Sequence, residues 1–187
     1  MPVRGTVYQA FRRCVDASAA SEFLCILPET AAHYGIEART YSYAEAAHEV
    51  EALSGRYRAA GFGHGHRAGL MLENRPAFFF HWLALNALGV SVVPINPEWR
   101  SAELEYLIDH SEIGVAVAPR ERAADLIRSV AGAGRQLAIV TEDLSGLQGA
   151  PAAFPHSQES VGVDTRCIDG ERRAPLRRGA LSLRRHR

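Results

Sequence analysis

Lysine is missing from this sequence, because all 21 basic residues among its 187 are arginines. The P-loop lysine that contacts nucleotide phosphates and the lysine that forms a Schiff base are therefore both excluded within these residues. Acidic residues also number 21, so the formal net charge is zero. No overall field attracts the chain to nucleic acid or to a membrane surface.

Cysteine is scarce, and long apolar runs are absent. The three cysteines, Cys14, Cys25 and Cys167, are an odd number, and no two of them have CxxC spacing. This argues against a disulfide framework or a zinc site and favours a reducing, cytoplasmic location. No apolar stretch reaches 18 residues, so no membrane span is predicted, and the first 18 residues do not have the pattern of a signal peptide.

Short apolar runs and helix-like segments alternate from residue 7 to residue 141. Alternation of this kind is typical of an α/β fold in which helices flank a parallel sheet. Strands are predicted at residues 23–27, 67–72, 90–95, 113–118 and 136–141. Helices are predicted at residues 7–15, 43–60, 77–88, 101–108 and 120–130, and a loop at residues 28–39.

Helix boundaries have local signals. Ser42 and Glu45 have the spacing of a capping box, and Gly61 is placed to end the same helix. Asn74 and Ser101 are predicted to cap the two helices that follow them.

The helix at residues 77–88 is apolar on nearly every face, with three phenylalanines in succession and a tryptophan. Such a helix is expected inside a large protein, where other elements cover it on several sides. We expect a chain of 187 residues to leave part of it uncovered, and therefore to self-associate.

Glycines at residues 61–69 superficially match a dinucleotide-binding fingerprint. They follow a predicted helix and precede a strand, whereas a phosphate-binding turn follows a strand and opens a helix. We interpret them as a turn. His64 and His66 have no further metal ligands nearby. His81 is interpreted as a hydrogen-bonded, partly buried residue rather than a base, and a contact with substrate stays open as an alternative. No metal site is predicted.

Glu73 and Asn74 lie where a predicted strand ends and a helix begins. Ligands bind at such junctions in open α/β sheets, so this is a candidate binding position, although capping alone explains Asn74. No G-x-S-x-G nucleophile motif is present, and no catalytic residue is assigned. Two other acidic pairs are interpreted as solvated edges: Glu103 with Glu105, and Glu142 with Asp143.

The composition changes after Leu147. We divide the chain into an α/β part, residues 1–147, and a linker with a tail, residues 148–187. Residues 166–187 contain eight arginines without periodic apolar residues, so we expect a disordered tail. Because aromatic residues for base stacking are absent there, no nucleic-acid role is predicted.

Five segments between residues 5 and 145, in order and with compatible gaps, together resemble the adenylate-forming superfamily of acyl-CoA synthetases, luciferases and peptide-synthetase adenylation domains. Residues 85–97, LNALGVSVVPINP, are the most specific and resemble "A-G-A-V-x-V-P-L-N-P". Within the superfamily these sequence motifs are most similar to those of carboxylate–CoA ligases, including the crotonobetaine/carnitine type. The remaining segments are residues 41–45, 61–69 (with His66 where the family usually has Asp), 73–76 and 102–108.

The resemblance implies an N-terminal α/β subdomain of an adenylate-forming enzyme, an acid–thiol ligase with a role such as fatty acid metabolism. In the family reaction a carboxylate attacks ATP to give an acyl-adenylate and pyrophosphate, and CoA then displaces AMP. ATP, Mg²⁺ and CoA are the implied cofactors, and a small-molecule carboxylate is the implied substrate. In some members a basic residue after the N-P segment approaches CoA; Glu98 stands there and Arg100 follows two residues later, so no role is assigned.

One departure from the family pattern is large. The family's glycine- and threonine-rich phosphate loop normally follows an aspartate that Asp164 resembles, but residues 166–168 begin the arginine-rich segment instead. The later ribose, hinge and lysine motifs are also missing. We therefore expect no tight cofactor binding and no activity from this chain alone. Two alternatives stay open: a non-catalytic scaffold or interaction module, and a small α/β protein with another binding function.

A frameshift or a truncated gene model beginning near Arg166 would explain the abrupt loss of the family pattern. We predict that the coding DNA beyond this point encodes a glycine- and threonine-rich loop in one of the other two reading frames. Translating both frames checks this directly. A lack of such a loop in both would contradict the hypothesis.

Overall fold

The computed structural model describes residues 5–153, in which helices and strands alternate along the chain. The helices are α1 (Val7–Ser18), α2 (Pro28–Tyr34), α3 (Tyr43–Ala59), α4 (Pro76–Ala87), α5 (Ser101–Ser111) and α6 (Arg120–Gly132). The strands are β1 (Glu22–Cys25), β2 (Thr40–Ser42), β3 (Arg67–Leu70), β4 (Ser91–Pro94), β5 (Val115–Val117) and β6 (Ala138–Val140).

The main sheet contains four parallel strands in the order β4-β3-β5-β6. Leu70 of β3 pairs with Pro94 of β4 on one side and with Val117 of β5 on the other. Val117 in turn pairs with Val140 of β6. The predicted α/β class and the parallel sheet are therefore confirmed.

Helices cover both faces of this sheet, and β5 shows why. Val115 and Val117 belong to the core cluster that includes residues of α1, α3 and α4, whereas Ala116 belongs to the cluster that includes residues of α5 and α6. All three residues of β5 have no exposed surface. Successive side chains on a strand point to opposite faces, so a strand this deeply buried needs an apolar layer on each side.

Helix α4 is covered on several sides but not completely. Each of its residues is buried or half-buried, because α1, α3 and the strands β3 and β4 all pack against it. Six of its twelve residues, including Phe78, Phe79 and Trp82, keep some exposed surface, which agrees with the expectation that part of this helix stays uncovered. Whether the chain self-associates stays a prediction.

A small antiparallel sheet lies outside the parallel one. Residues 23–27 were predicted to form a buried strand, but β1 pairs with β2, and its ends are exposed. Residues 28–34 form α2 rather than the predicted loop. Pro28 begins this helix and Gly35 ends it with φ 64°. Its seven residues are too few to show a helical period in the sequence.

Two predicted helix caps lie one residue away from the actual ones. The capping box of α3 is confirmed, with the Ser42 hydroxyl 3.2 Å from the Glu45 amide nitrogen. For α4 and α5, however, Arg75 and Arg100 occupy the N-cap positions, not Asn74 and Ser101. In α4 the shift follows from Pro76, which is suited to the first helical position and starts the helix there.

No helix in the described part of the chain is long and apolar enough to cross a membrane. The predicted boundary at residue 147 stays a prediction. The arginine-rich tail, residues 166–187, lies outside the described residues.

The close approach of β3 to the α5/α6 side of the core gives a stability prediction. A Cβ added to Gly69 would lie 2.7 Å from Cδ1 of Ile95 and 3.0 Å from Cδ1 of Ile113. Both isoleucines are buried, so we expect Gly69→Ala to lower the free energy of unfolding by about 1–3 kcal/mol. Denaturant unfolding of the full chain measures this.

Gly55→Ala is the matched control, because a Cβ at this exposed helical position meets nothing within 4 Å. It should raise the free energy of unfolding by about 0.5–1 kcal/mol, the usual gain for glycine to alanine inside a helix. Equal effects of the two substitutions would contradict the packing described for Gly69.

Candidate functional site

The carboxyl ends of the parallel strands meet at one edge of the main sheet, and their loops converge on Arg75. Its guanidinium group lies 2.8 Å from a carboxylate oxygen of Glu121 and 3.2 Å from one of Glu142. Arg75 precedes α4, Glu121 lies in the first turn of α6, and Glu142 follows β6. Residues far apart in the sequence therefore form one cluster, which we call the edge cluster: Arg75, Glu121 and Glu142.

Two cavities open on either side of the edge cluster. The first, about 240 Å³, has an apolar wall that includes Tyr41, Pro76 and Phe80. The second, about 270 Å³, is lined by polar residues of the loops after β5 and β6. Arg75 and Glu142 line both cavities, so these two side chains form the wall between them.

The positive charge of Arg75 is compensated by two carboxylates, and its side chain is largely withdrawn from solvent. Only 13% of its side chain is exposed, and its guanidinium carbon lies 5.1 Å from the centre of the Tyr34 ring. Among the described residues, its buried Nε has no hydrogen-bond partner. The pKa of Glu121 is lowered, first by a hydrogen bond from its own backbone N–H and then by Arg75.

Carboxylates outnumber guanidinium groups around the second cavity. Arg75 and Arg120 line it together with Glu121, Glu142 and Asp143. Hydrogen bonds from the Ser145 and Thr141 hydroxyls keep the pKa of Asp143 well below its usual range, so this carboxylate stays ionised. This lining suits small polar ligands. It disfavours binding of a polyphosphate chain, whose negative charge needs backbone amides and cations.

The predicted binding position at Glu73 and Asn74 is one residue away from the cluster. Glu73 is half-buried with φ 53°, and Asn74 is exposed. The structure brings Arg75, not these two residues, into the edge cluster. The interpretation of Glu142 as a solvated edge is wrong, because Glu142 contacts both Arg75 and, through its carbonyl, His81. Its position directly after the apolar run that forms β6 was the available signal.

His81 is hydrogen-bonded, as predicted, but it is more deeply buried than the partly buried position that was expected. It is fully buried, with Nδ1 2.8 Å from the Tyr57 hydroxyl and Nε2 2.8 Å from the Glu142 carbonyl oxygen. Burial lowers the pKa of His81 to about 4, although the hydrogen bond to Glu142 acts in the opposite direction. Burial also raises the pKa of the Tyr57 hydroxyl well above its ordinary value.

The glycine-rich segment and its histidines form a turn, as predicted. Gly61 and Gly65 have φ near 90°, and the segment joins α3 to β3. His66 contacts Gly63 and lies 2.8 Å from the Pro151 carbonyl oxygen, whereas His64 is exposed. Within residues 5–153, no group of three or more His, Cys, Asp or Glu side chains is arranged to hold a metal ion.

The remaining sequence candidates lie away from the edge cluster. Arg100 is the N-cap of α5, and its backbone N–H donates to the Glu103 carboxylate. Glu98 donates a backbone hydrogen bond to the Asn96 side chain. A contact of either residue with CoA stays untested. Asp164 and Arg166 lie outside the described residues.

Comparison with known proteins gives consistent matches. A family model described as AMP-binding enzyme matches residues 27–175. A crotonobetaine/carnitine–CoA ligase of Proteus mirabilis (strain HI4320) is 34% identical over 74 residues, which cover 40% of this chain and 14% of that protein. The chain thus matches only a small part of the length of this curated relative.

Solved structures share the fold. The anthranilate CoA ligase AuaEII in complex with anthranoyl-AMP superimposes with a TM-score of 0.62 at 20% identity, over 75% of this chain and 25% of that one. ATP-bound MatB from Rhodopseudomonas palustris superimposes with a TM-score of 0.57 at 18% identity, over 79% of this chain and 29% of that one. At these sequence identities the similarity shows a shared fold and nothing further.

The buried His81 predicts a specific pH dependence of stability. The unfolded chain protonates this histidine near its ordinary pKa of about 6.5, whereas the folded chain does so only near pH 4. Between these values the unfolded state binds more protons, so stability is fully present above about pH 6.5 and falls as the pH falls. We expect a loss of about 1.4 kcal/mol per pH unit from this group.

Unfolding by denaturant at several pH values between 4 and 7 measures the slope. His81→Gln should remove this component, and His48→Gln, at an exposed position in α3, should leave it unchanged. Equal slopes for the wild type and His81→Gln would show that His81 is not buried in its neutral form.

Proposed function

The chain belongs to the AMP-binding enzyme family, and on that premise we propose that it forms the N-terminal portion of an ATP-dependent acyl-CoA synthetase. The overall reaction converts a carboxylate, ATP and CoA into acyl-CoA, AMP and pyrophosphate. The family match over residues 27–175 carries this proposal. Similarity to a crotonobetaine/carnitine–CoA ligase over 74 residues supports it.

Within such an enzyme, residues 5–153 supply scaffold and one side of a ligand cavity. The cavity bounded by Tyr41, Pro76 and Phe80 has an apolar wall of a size that suits a small acyl group. The neighbours of known structure bind anthranoyl-AMP in one case and ATP in another. We carry over only the ligand class, a small carboxylic acid activated through ATP.

The described residues do not fit the polyphosphate of ATP. The loop after β3 contains no glycine turn, and the carboxylates of Glu121, Glu142 and Asp143 crowd the sheet edge. The glycine-rich turn at residues 61–65 leads into β3 and so lies at the opposite edge. We therefore derive no catalytic step from these residues and assign none of them to Mg²⁺ or CoA.

We also propose that the 187-residue chain is inactive on its own and that it is cytoplasmic. Stabilising phosphate charge requires cations and aligned backbone amides, whereas Glu121, Glu142 and Asp143 line the sheet edge in the described residues. The location is supported by Cys14 and Cys25, which are free and exposed, as cysteines are in a reducing compartment.

A binding and turnover assay tests the proposed inactivity. Purified chain should show no Mg²⁺-dependent ATP binding by titration calorimetry, and no ATP–pyrophosphate exchange with a panel of short aliphatic and aromatic acids. The reason is the unsuitable environment for polyphosphate at the sheet edge. Tight Mg²⁺-dependent ATP binding or turnover would contradict the proposal that the chain is inactive on its own.

A chimera tests the family role separately. The matching segment of the Proteus mirabilis ligase is replaced by the corresponding residues of this chain, and cooperative unfolding establishes that the chimera is folded. We expect acid-dependent ATP–pyrophosphate exchange to persist, with the unaltered ligase as positive control. A folded chimera without exchange for any acid would contradict the assignment.

A further inference from the structure

Two fully buried polar side chains lie directly behind the edge cluster. Tyr57 of α3 and His81 of α4 have no exposed surface, and they contact each other through the Tyr57 hydroxyl and Nδ1 of His81. The second ring nitrogen of His81 faces the Glu142 carbonyl oxygen. Because an unpaired buried polar group is unfavourable, neither side chain can turn without losing a needed partner.

The chemistry of these partners selects one tautomer of the imidazole ring. A carbonyl oxygen can only accept a hydrogen bond, so Nε2 of His81 must carry the proton that it donates to Glu142. In the neutral ring Nδ1 is then an acceptor, and the Tyr57 hydroxyl must be its donor. Arg56, the nearby cation on α3, disfavours a charged ring further.

The loop at residues 141–145 depends on this arrangement. His81 donates to the Glu142 carbonyl, and Arg56 donates to the next carbonyl, that of Asp143. Leu144 is buried and has φ 53°, a left-handed conformation that is unfavourable for a residue with a Cβ. Hydrogen bonds from Thr141 and Ser145 to the Asp143 carboxylate shape the loop locally. The contacts with His81 and Arg56 fix its position against the core.

The position of the loop in turn sets the wall between the two cavities. The Glu142 carbonyl faces His81 in the core, while the carboxylate of the same residue lies 3.2 Å from Arg75 at the sheet edge. Both Glu142 and Arg75 line each cavity. A shift of this one residue would therefore alter both cavities together.

We propose that His81 is a positioning residue: held by the Tyr57 hydroxyl in its Nε2–H tautomer, it keeps residues 141–145 where Glu142 meets Arg75 and separates the two cavities. The buried pair thus acts from within the core on the edge cluster and on the two cavities beside it. This holds independently of the acyl-CoA chemistry proposed above, because it concerns the shape of the edge and not the reaction.

The first test uses the wild-type full chain. Nitrogen NMR of a histidine-labelled sample reports which ring nitrogen carries the proton, and the His81 signals are identified as those lost in His81→Gln. We expect a protonated Nε2 and an unprotonated Nδ1 for His81, unchanged from pH 6 to pH 8. A protonated Nδ1, or an averaged mixture of tautomers, would overturn the proposal.

The second test removes only the Tyr57 hydroxyl, which donates the hydrogen bond to Nδ1 of His81. Tyr57→Phe keeps the ring but leaves Nδ1 without its partner, so amide hydrogen exchange at residues 141–145 should become about tenfold faster, the factor expected for losing one hydrogen bond. Tyr8→Phe is the matched control, since the Tyr8 hydroxyl has no hydrogen bond among the described residues.

The coupling energy between Arg75 and Glu142 is a readout that a general destabilisation of the fold would not change. A double-mutant cycle with Arg75→Gln and Glu142→Gln should give a weaker coupling in the Tyr57→Phe background than in the wild type or in Tyr8→Phe. Unchanged coupling and unchanged loop exchange would refute the proposal. If Tyr57→Phe does not fold, the wild-type tautomer measurement decides alone.

Discussion

Burial of the main sheet on both faces is the constraint on which the described part of this protein depends. The three residues of β5 have no exposed surface, and their side chains alternate between two apolar clusters. Parallel strands buried in this way must be covered by helices on each side. The alternating connections then bring the carboxyl ends of all four strands to one edge, where the loops enclose the two cavities.

Polar interactions at that edge are connected to the apolar core. Arg75 is largely buried and is compensated by Glu121 and Glu142, as a charge withdrawn from water requires. Glu142 is also bonded through its carbonyl to His81, which packs in the same core as α3 and α4. The helix that looked like a purely apolar core element in the sequence thus contains the side chain that reaches the loop after β6.

Prediction from sequence succeeded where a signal is local. The capping box of α3 and the glycine turn before β3 are each encoded within a few residues, and each is confirmed. It failed for α2, which is too short to show a period, and for the N-cap of α4, where Pro76 moved the boundary by one residue. It also failed for Glu142, whose two partners lie more than 60 residues earlier in the chain.

The sequence by itself determined the α/β class, the order of most elements and the resemblance to adenylate-forming enzymes, because periodicity, turn residues and short motifs are properties of neighbouring residues. Only the tertiary structure decided which side chains of α4 are covered, that β1 pairs outside the main sheet, and that Arg75, Glu121 and Glu142 form one cluster. These facts depend on which surfaces meet across long sequence separations. Two acidic residues that look alike in the sequence can end in bulk water or against a buried guanidinium group, and packing alone decides between them.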